Sequence, residues 1–511
     1  MTVSTLTVVP EAHPSGTAPC AEPHPIRLGL LTRSTDAHLQ ALARAARDDF
    51  PAWVDHVRPA ASCTRPIRLH GTMTRVEAQT GRLLSTMDTA DLPDGVIYKA
   101  CGNRRESVCP SCSARYKGDA YQLVRAGLVG GKGVPETVAN HPAIFPTFTA
   151  PSFGPVHSRE VKRHTCGKRK GCDCRPEPCH PRRDKPTCPH GVPLYCYARH
   201  EDTDKVLGSP LCLDCYDYPA QVVWNNQAGE LWRRTTIAMT RHLRRVAKAR
   251  GIGPRSFRLS FGKAAEMQRR AAVHFHAIVR LDGADPDQPG VILPPTKGLD
   301  AADLVDAVDH AVATVAFHTI AHPIAEDGWR ITWGEQVKTR VITVAGNGEV
   351  TDAMVAAYLA KYATKSTEVT GHVSGRLDGD TVTLYANPAG PHTERLIAAC
   401  WELGQPTEWR GLCRWAHMLG FGGHFFTKSR TYSVSFTILR QDRIVFRRTE
   451  MTGPSTETPS TEGPTVLVVN FLQFVGQGWH NTGDAVMANT SAALAREHQD
   501  LARQQIQQLH N

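Results

Sequence analysis

Apolar positions along this chain change period several times, and each change marks an element. PIRLHGTMTRVE, RLLSTMD and GVIYKA, within residues 66–100, alternate or cluster β-formers between turn residues and read as short strands. Before them, Leu39, Leu42 and Ala45, then Phe50 and Trp53, space out a helix and its exit between Thr35 and about Val57. A helix is expected from Ser113 to about Gly127, then a strand at 144–151, IFPTFTAP. Its alternation suits a central position, whereas Pro146 lacks the N–H that a central ladder needs. Residues 224–251 carry a long helical pattern closed by Gly251. FRLSFGKAAE (257–266) and VHFHAIVRL (273–281) read as a hairpin across MQRRAA. Leu304, Val308, Ala311, Val312 and Val315 line one side of a helix over Asp300 to Ile320, and residues 329–346 return as strand. VAAYLAKYATKS (355–366) is helical, capped by Thr351 or Asp352. Shorter helices are expected at about 393–403 and 410–419, then a Pro/Ser/Thr linker, a buried-looking strand VLVVNFLQF and a terminal helix. The class is α+β with an antiparallel sheet. The expected division is an N-terminal element (1–95), a cysteine-rich region with the first sheet strand (96–220), a core (221–445), a linker (446–465) and a strand–helix element (466–511).

Composition adds a class of partner. The 511 residues carry 59 basic against 49 acidic side chains, a formal +10 with a pI near 8.9. That excess favours a polyanion. Arg241, Arg244 and Arg245 concentrate it on one helix, suited to phosphate contacts. The alternative for such a run is a solvated helix face. Lys428 and Arg430 lie among aromatics, a mixture suited to single-stranded DNA. The first residues lack the charged and apolar regions of a signal peptide, and no apolar run reaches membrane-span length. A cytoplasmic protein without a membrane partner is expected. In a reducing compartment, fifteen cysteines grouped partly as C-x-x-C argue for structural zinc over disulfides. One candidate set is Cys101, Cys109 and Cys112, which needs a fourth ligand from elsewhere in the chain, the cysteine-rich insert being one source. The other is Cys188, Cys196, Cys212 and Cys215, with His190 competing against Cys196. Cys166, Cys172, Cys174 and Cys179 form a further run, either a metal cluster or a basic loop with spare thiols.

The sharpest chemistry comes from two separated segments. On the strand 273–281, His274 and His276 share a face, so they form half of a divalent-cation site. If Glu266 sits opposite His274, its carboxylate joins that face. On the helix, Tyr358 and Tyr362 stand one turn apart, and Lys361 and Lys365 follow them at i+3. The competing explanation is ordinary packing: with 24 histidines, roughly one H-x-H arises by chance, and aromatics at helical spacing usually face a core.

HFH followed by YLAKYATK resembles the HUH endonucleases, and the doubled Y-x-x-K resembles their two-tyrosine branch. CGNRRESVCPSC, CPHGVPLYC, PLCLDCYDY, GELWRRTT and RWAHMLGFGGHF are similar to the RepSA-type replication initiators of actinobacterial plasmids and integrative elements. The resemblance runs from about residue 95 to about 435. It implies rolling-circle initiation: a tyrosine nicks one origin strand, forming a 5′-phosphotyrosine and a priming 3′-OH. It further implies Mg²⁺ or Mn²⁺ at the histidines, origin and single-stranded DNA as partners, and a helicase. The alternatives are a transposase or relaxase of a mobile element, or a non-catalytic zinc-containing DNA-binding protein.

Overall fold

The computed structural model describes residues 36–161, 176–181, 187–343, 351–365, 375–452 and 466–509. The chain divides into two units, 1–101 with 462–511, and 102–461. Each is built around its own sheet.

In the smaller unit, helices α1 (Ala37–Ala45) and α2 (Phe50–Val57) precede strands β1 (Ile67–Glu77), β2 (Leu83–Asp88) and β3 (Ile97–Lys99). The strand Val466–Gln477 runs antiparallel along the whole of β1, from Ile67 opposite Gln477 to Glu77 opposite Val466. The terminal helix Thr482–Leu509 returns on α1, where Arg44 bridges Asp484 and Asp94, each at 2.8 Å. The two ends of the chain thus make one unit instead of two separate elements. No local pattern announces this, because strand pairing is not encoded within either strand. The apolar strand VLVVNFLQF differs from its buried reading as well. Phe471 is 69% exposed, and Leu467, Val468 and Phe474 are also exposed.

The larger unit starts with helix α3 (Pro110–Val129) and strand β4 (Ala143–Phe148). After the cysteine-rich insert come α4 (Tyr218–Ala249), β5 (Phe257–Met267), β6 (Val273–Gly283) and α5 (Ala301–Thr314). The latter helix stops at Thr314, short of the expected Ile320, because Phe317–His318 (β7) pairs with Arg330–Ile331 (β8). The strand expected over 329–346 is therefore split, its second part being β9 (Lys338–Val341); residues 344–350 lie outside the described set. Then follow α6 (Asp352–Ala363), α7 (His392–Leu403), α8 (Arg410–Arg414), β10 (Phe426–Lys428) and α9 (Phe436–Thr452).

The sheet order is β10-β5-β6-β4-β9, and every pairing is antiparallel. Pro146 lies inside this sheet, opposite Thr339 of β9. On its β6 side the ladder skips from Ile144–Val279 to Thr147–His276, so the missing N–H falls in a local gap. Phe275, Val279 and Leu281 face α4, α5 and α7, with Trp224, Leu231 and Trp232 packed beneath them. The opposite face meets α3, α6 and α9 through Ala264, Ile278, Leu123, Leu359 and Leu439. On that same face Arg280 and His141 converge on fully buried Asp282, at 2.6 and 2.8 Å. A rigid strand pair therefore presents its even-numbered β6 side chains to the helix that carries both tyrosines.

Candidate active site

The hairpin register sets the constellation. Glu266 lies opposite His274, and Ala264 opposite His276, so the carboxylate and both imidazoles share one face. The turn is held by the Ala271 N–H donating to the Gln268 carbonyl at 2.8 Å, with Ala271 itself in the left-handed region (φ 65°). His276 Nε2 lies 3.0 Å from Glu266 Oε2. The two histidine rings are 4.5 Å apart, centroid to centroid.

Strand β4 and the residue just past its end fix how each imidazole is turned. Thr147 Oγ1 is 3.3 Å from His276 Nδ1, and Thr149 Oγ1 is 3.3 Å from His274 Nδ1. Gln268 Nε2 also approaches His274 Nδ1, at 3.4 Å. With Nδ1 occupied in this way, Nε2 is the nitrogen left to a ligand. Two octahedral ligands side by side, each about 2.1 Å from Mg²⁺, stand about 3.0 Å apart, so the Glu266–His276 pair fits such an ion. His274 does not complete a set lying wholly within 4.8 Å, so its ring would have to shift to become a third ligand.

The helix α6 begins with Thr351, whose hydroxyl accepts from the Met354 N–H. Its C-terminal carbonyls at Ala363 and Lys365 accept from Arg104. Held at both ends, the helix lays Tyr358 and Tyr362 against His276. Tyr358 Oη is 3.4 Å from His276 Nε2, with the two rings nearly perpendicular. Tyr362 stacks on the same imidazole, with ring centroids 5.1 Å apart and 29° between planes. Their exposure separates them: Tyr358 is 37% exposed and Tyr362 only 9%. Lys361 and Lys365 place their ammonium groups 5.9 and 5.2 Å from the Tyr362 ring.

A cleft of about 480 Å³ opens over these groups, lined by Thr147, Thr149, His274, His276 and Tyr358. Its other wall brings Lys338 and Arg340 from β9, with Gln336 just ahead of that strand. Sequence reasoning missed these two cations. The signal was their alternation in K-T-R within a segment already read as strand, which puts both on one face. Burial raises the Tyr358 phenol above its ordinary value, with Glu266 pushing the same way; a hydrogen bond from Tyr362 and the Arg340 charge pull it down. Tyr362 is raised much further by burial and by hydrogen bonds to Tyr358 and Glu266. Neither phenol ionises unaided near neutrality.

Burial, with His276 and Arg270 nearby, lowers His274 to about 3. Its folded value lies below the unfolded one of about 6.5, so the unfolded chain takes up the proton first as pH falls. The stabilising contribution is full above about 6.5 and drains away toward about 3. In the metal-free protein, the carbon-bound ring protons of His274 are expected to hold a constant NMR shift between about pH 7.5 and 5. A titration centred near the free-imidazole value would show that the ring is not shielded from solvent.

The arginines of α4 stand elsewhere. Arg241, Arg244 and Arg245 line a groove of about 880 Å³ with Arg233, Arg234 and His310. Because α4 covers the sheet face opposite the histidines, this groove is separate from the cleft. Glu230 pairs with Arg233 and Arg234, while Arg241 and Arg244 have no ion-pair partner among the described residues. Lys428 and Arg430 are not in the cleft either. The Lys428 ammonium is turned back onto the Ser429 and Arg430 carbonyls, at 3.3 Å each.

The cysteines regroup relative to the spacing argument. Cys188, Cys212 and Cys215 do gather, but the fourth ligand atom within 4.8 Å belongs to His190, not Cys196. A tight turn explains this: the Cys188 N–H donates to Val192 and the Gly191 N–H to Cys188, folding His190 back over the sulfurs. Cys196 is drawn away by a two-way backbone bridge with His180, at 2.7 and 2.9 Å. It joins His157, Cys179 and His200 instead. Burial raises the Cys188 thiol, but hydrogen bonds from the Val192 N–H, the Cys212 thiol, the His190 N–H and the Cys215 thiol together lower it to about 6, a value suited to a thiolate ligand. Both groups can hold a metal such as zinc. Cys109 and Cys112 are buried at the start of α3. Cys101 belongs to the smaller unit, where its N–H lies 3.3 Å from the sulfur of Cys63, not of an insert cysteine. Cys63 stands outside every spacing pattern. Cys166, Cys172 and Cys174 lie outside the described residues.

Among the described residues no helix is long and apolar enough to cross a membrane. No solved structure matches the chain significantly. A replication initiator protein of Streptomyces ambofaciens is 38% identical over 468 residues, covering 90% of this chain and 94% of that protein. The family described as replication initiator protein, pSAM2, matches residues 49–493. Extending through both units, that match means the chain belongs to the RepSA family of replication initiators.

Proposed function

We propose that this protein initiates replication by nicking one DNA strand at an origin, with Tyr358 as nucleophile, in the manner of the HUH endonucleases. The observation that carries the reading is the exposed Tyr358, its Oη 3.4 Å from His276 Nε2, in a cleft walled by Lys338 and Arg340. Tyr358 attacks the scissile phosphorus, and its Oη–P bond replaces the bond to the departing 3′-oxygen. The phenol proton leaves to water, and the 3′-oxygen takes one up, giving a 5′-phosphotyrosine and a free 3′-OH. The new ester retains the energy of the phosphodiester, so resealing needs no nucleotide.

His276, Glu266 and, after adjustment, His274 would hold Mg²⁺ or Mn²⁺. When bound, that cation polarises the phosphate and offsets developing charge. Lys338 and Arg340 neutralise the phosphate from the opposite wall. Lys361 and Lys365 flank Tyr362, which serves a second strand transfer one helical turn away. The cysteine groups supply structural zinc, since four protein ligands leave no position for a reactive water.

The deciding experiment incubates the protein with an end-labelled single-stranded origin oligonucleotide and Mn²⁺, then resolves covalent adducts on a denaturing gel. A label transferred to protein and mapped to Tyr358 supports the reading; a protein that binds the oligonucleotide but never labels sinks it.

The groove of α4 is the proposed duplex contact. Arg241→Ala and Arg244→Ala are each expected to weaken duplex binding uniformly across sequences and to reduce the salt slope by about one. Adduct formation on a short single strand should stay unchanged. An unaltered slope in the double variant would remove the groove from the interface.

A further inference from the structure

Cys196, displaced from the set that its spacing suggested, belongs to a site of its own. We propose that His157, Cys179, Cys196 and His200 bind one Zn²⁺, separate from the Cys188 group, and that this ion braces the turn between β5 and β6. The zinc assignment stands independently of the DNA chemistry; the brace concerns the hairpin that the proposed function uses.

The four ligand atoms all lie within 4.8 Å of one another. Across a tetrahedral Zn²⁺, with Zn–S about 2.3 Å and Zn–N about 2.0–2.1 Å, sulfur and nitrogen stand about 3.6 Å apart. His200 Nε2 is 3.6 Å from Cys196 Sγ, and His157 Nδ1 is 3.8 Å from Cys179 Sγ. These separations are long for strong hydrogen bonds but match two ligands of one ion. His180 Nδ1, at 3.0 Å from Cys179 Sγ, is too close for that geometry and acts as a hydrogen-bond partner.

The surroundings are those of a ligand set. His200 directs Nε2 at the cluster while its Nδ1 lies 2.7 Å from the Asp204 carboxylate. That carboxylate–histidine pairing orients a metal ligand and strengthens its donor nitrogen. The Ser158 N–H donates to Cys179 Sγ at 3.2 Å, which stabilises a thiolate. The two imidazole rings are perpendicular, 5.2 Å apart, so they approach one point from different directions.

From this cluster a short path leads to the hairpin turn. The Asp204 carbonyl accepts from Arg269 at 3.4 Å, and Asp202 accepts from the same guanidinium. Behind His157, its carbonyl accepts from the Gly208 N–H at 2.8 Å. Gly208, at φ 86°, abuts the backbone of Arg269 so closely that a β-carbon there would lie 2.3 Å from a carbonyl carbon. Next along the chain from Arg269 is Gln268, whose amide reaches His274 Nδ1. An ion fixing His157 and His200 therefore clamps the turn from two sides.

The test uses the full chain. Metal content by plasma mass spectrometry is expected to fall by about one zinc per chain in Cys196→Ser and again in Cys188→Ser, with the double variant losing both. His180→Ala should lose none, and His157→Cys, which keeps four good ligands, should retain the ion. Loaded with Co²⁺, wild type minus Cys196→Ser should show the charge-transfer absorption of two thiolates, and wild type minus Cys188→Ser that of three. Amide hydrogen exchange over residues 268–272 should quicken in Cys196→Ser. Undiminished zinc in both Cys179→Ser and Cys196→Ser overturns the site. Zinc loss with unchanged exchange at the turn overturns the brace alone. Should Cys196→Ser fail to fold, the His157→Cys content and its three-thiolate cobalt spectrum decide the matter.

Discussion

Tyr358→Phe is expected to lower covalent adduct formation by about 10³-fold or more while leaving affinity for the single strand within about twofold. The substitution deletes one oxygen and preserves the ring, so its contacts with Phe145, His276 and Tyr362 remain. What disappears is the hydroxyl of the cleft-lining tyrosine, and no other described tyrosine there is equally exposed. Tyr362→Phe should cost much less on the first nick, because that ring is nearly buried and its oxygen is engaged with Tyr358 and Glu266. It should instead impair transfer of a second strand. The measurement is single-turnover labelling with each variant in Mn²⁺. Full labelling by both single variants and by the double variant would end the tyrosine mechanism; loss with Tyr362→Phe alone would exchange the two roles.

The second large effect is expected at His276. Its imidazole meets Glu266, Thr147, Tyr358, Tyr362 and Phe145. His276→Ala removes a cation ligand and also a buried ring, so some loss of stability accompanies it. Glu266→Gln isolates the ligand role, because it keeps the shape and withdraws only the charge. Both are expected to lower cleavage by about 10²-fold or more at fixed Mn²⁺. Glu266→Gln should recover partly as Mn²⁺ is raised, whereas His276→Ala should not. Chelation should silence the wild type, and added Mn²⁺ should restore it. Cleavage by Glu266→Gln at the wild-type metal midpoint would remove the carboxylate from the ligand set.

Much of this site was legible because its information is local. A two-residue period puts His274 and His276 on one face whatever surrounds them, and a helical period does the same for Tyr358 and Tyr362. The hairpin is short enough that its turn sets the register, so Glu266 opposite His274 followed from a correct count. The cysteines behaved otherwise. C-x-x-C at Cys212 and Cys215 held together, since two residues cannot separate far. Cys188 and Cys196, with seven residues and a tight turn between them, parted company. Cys63 beside Cys101 had no spacing to betray it. Lys338 and Arg340 were visible as alternating cations, but nothing in their own segment said which strand they would join.

The amino-acid sequence by itself determined the periods of the strands and helices, the basic excess, and which side chains share a face within an element, because such properties depend on residues a few positions apart. Only the tertiary structure decided that β9 brings its cations to the tyrosine cleft, that the chain's two ends share a sheet, and that Cys196 serves a different cluster. Those outcomes depend on which surfaces meet after the chain has folded. Contacts across dozens or hundreds of residues are selected by packing of whole elements, and no short window of sequence carries that information.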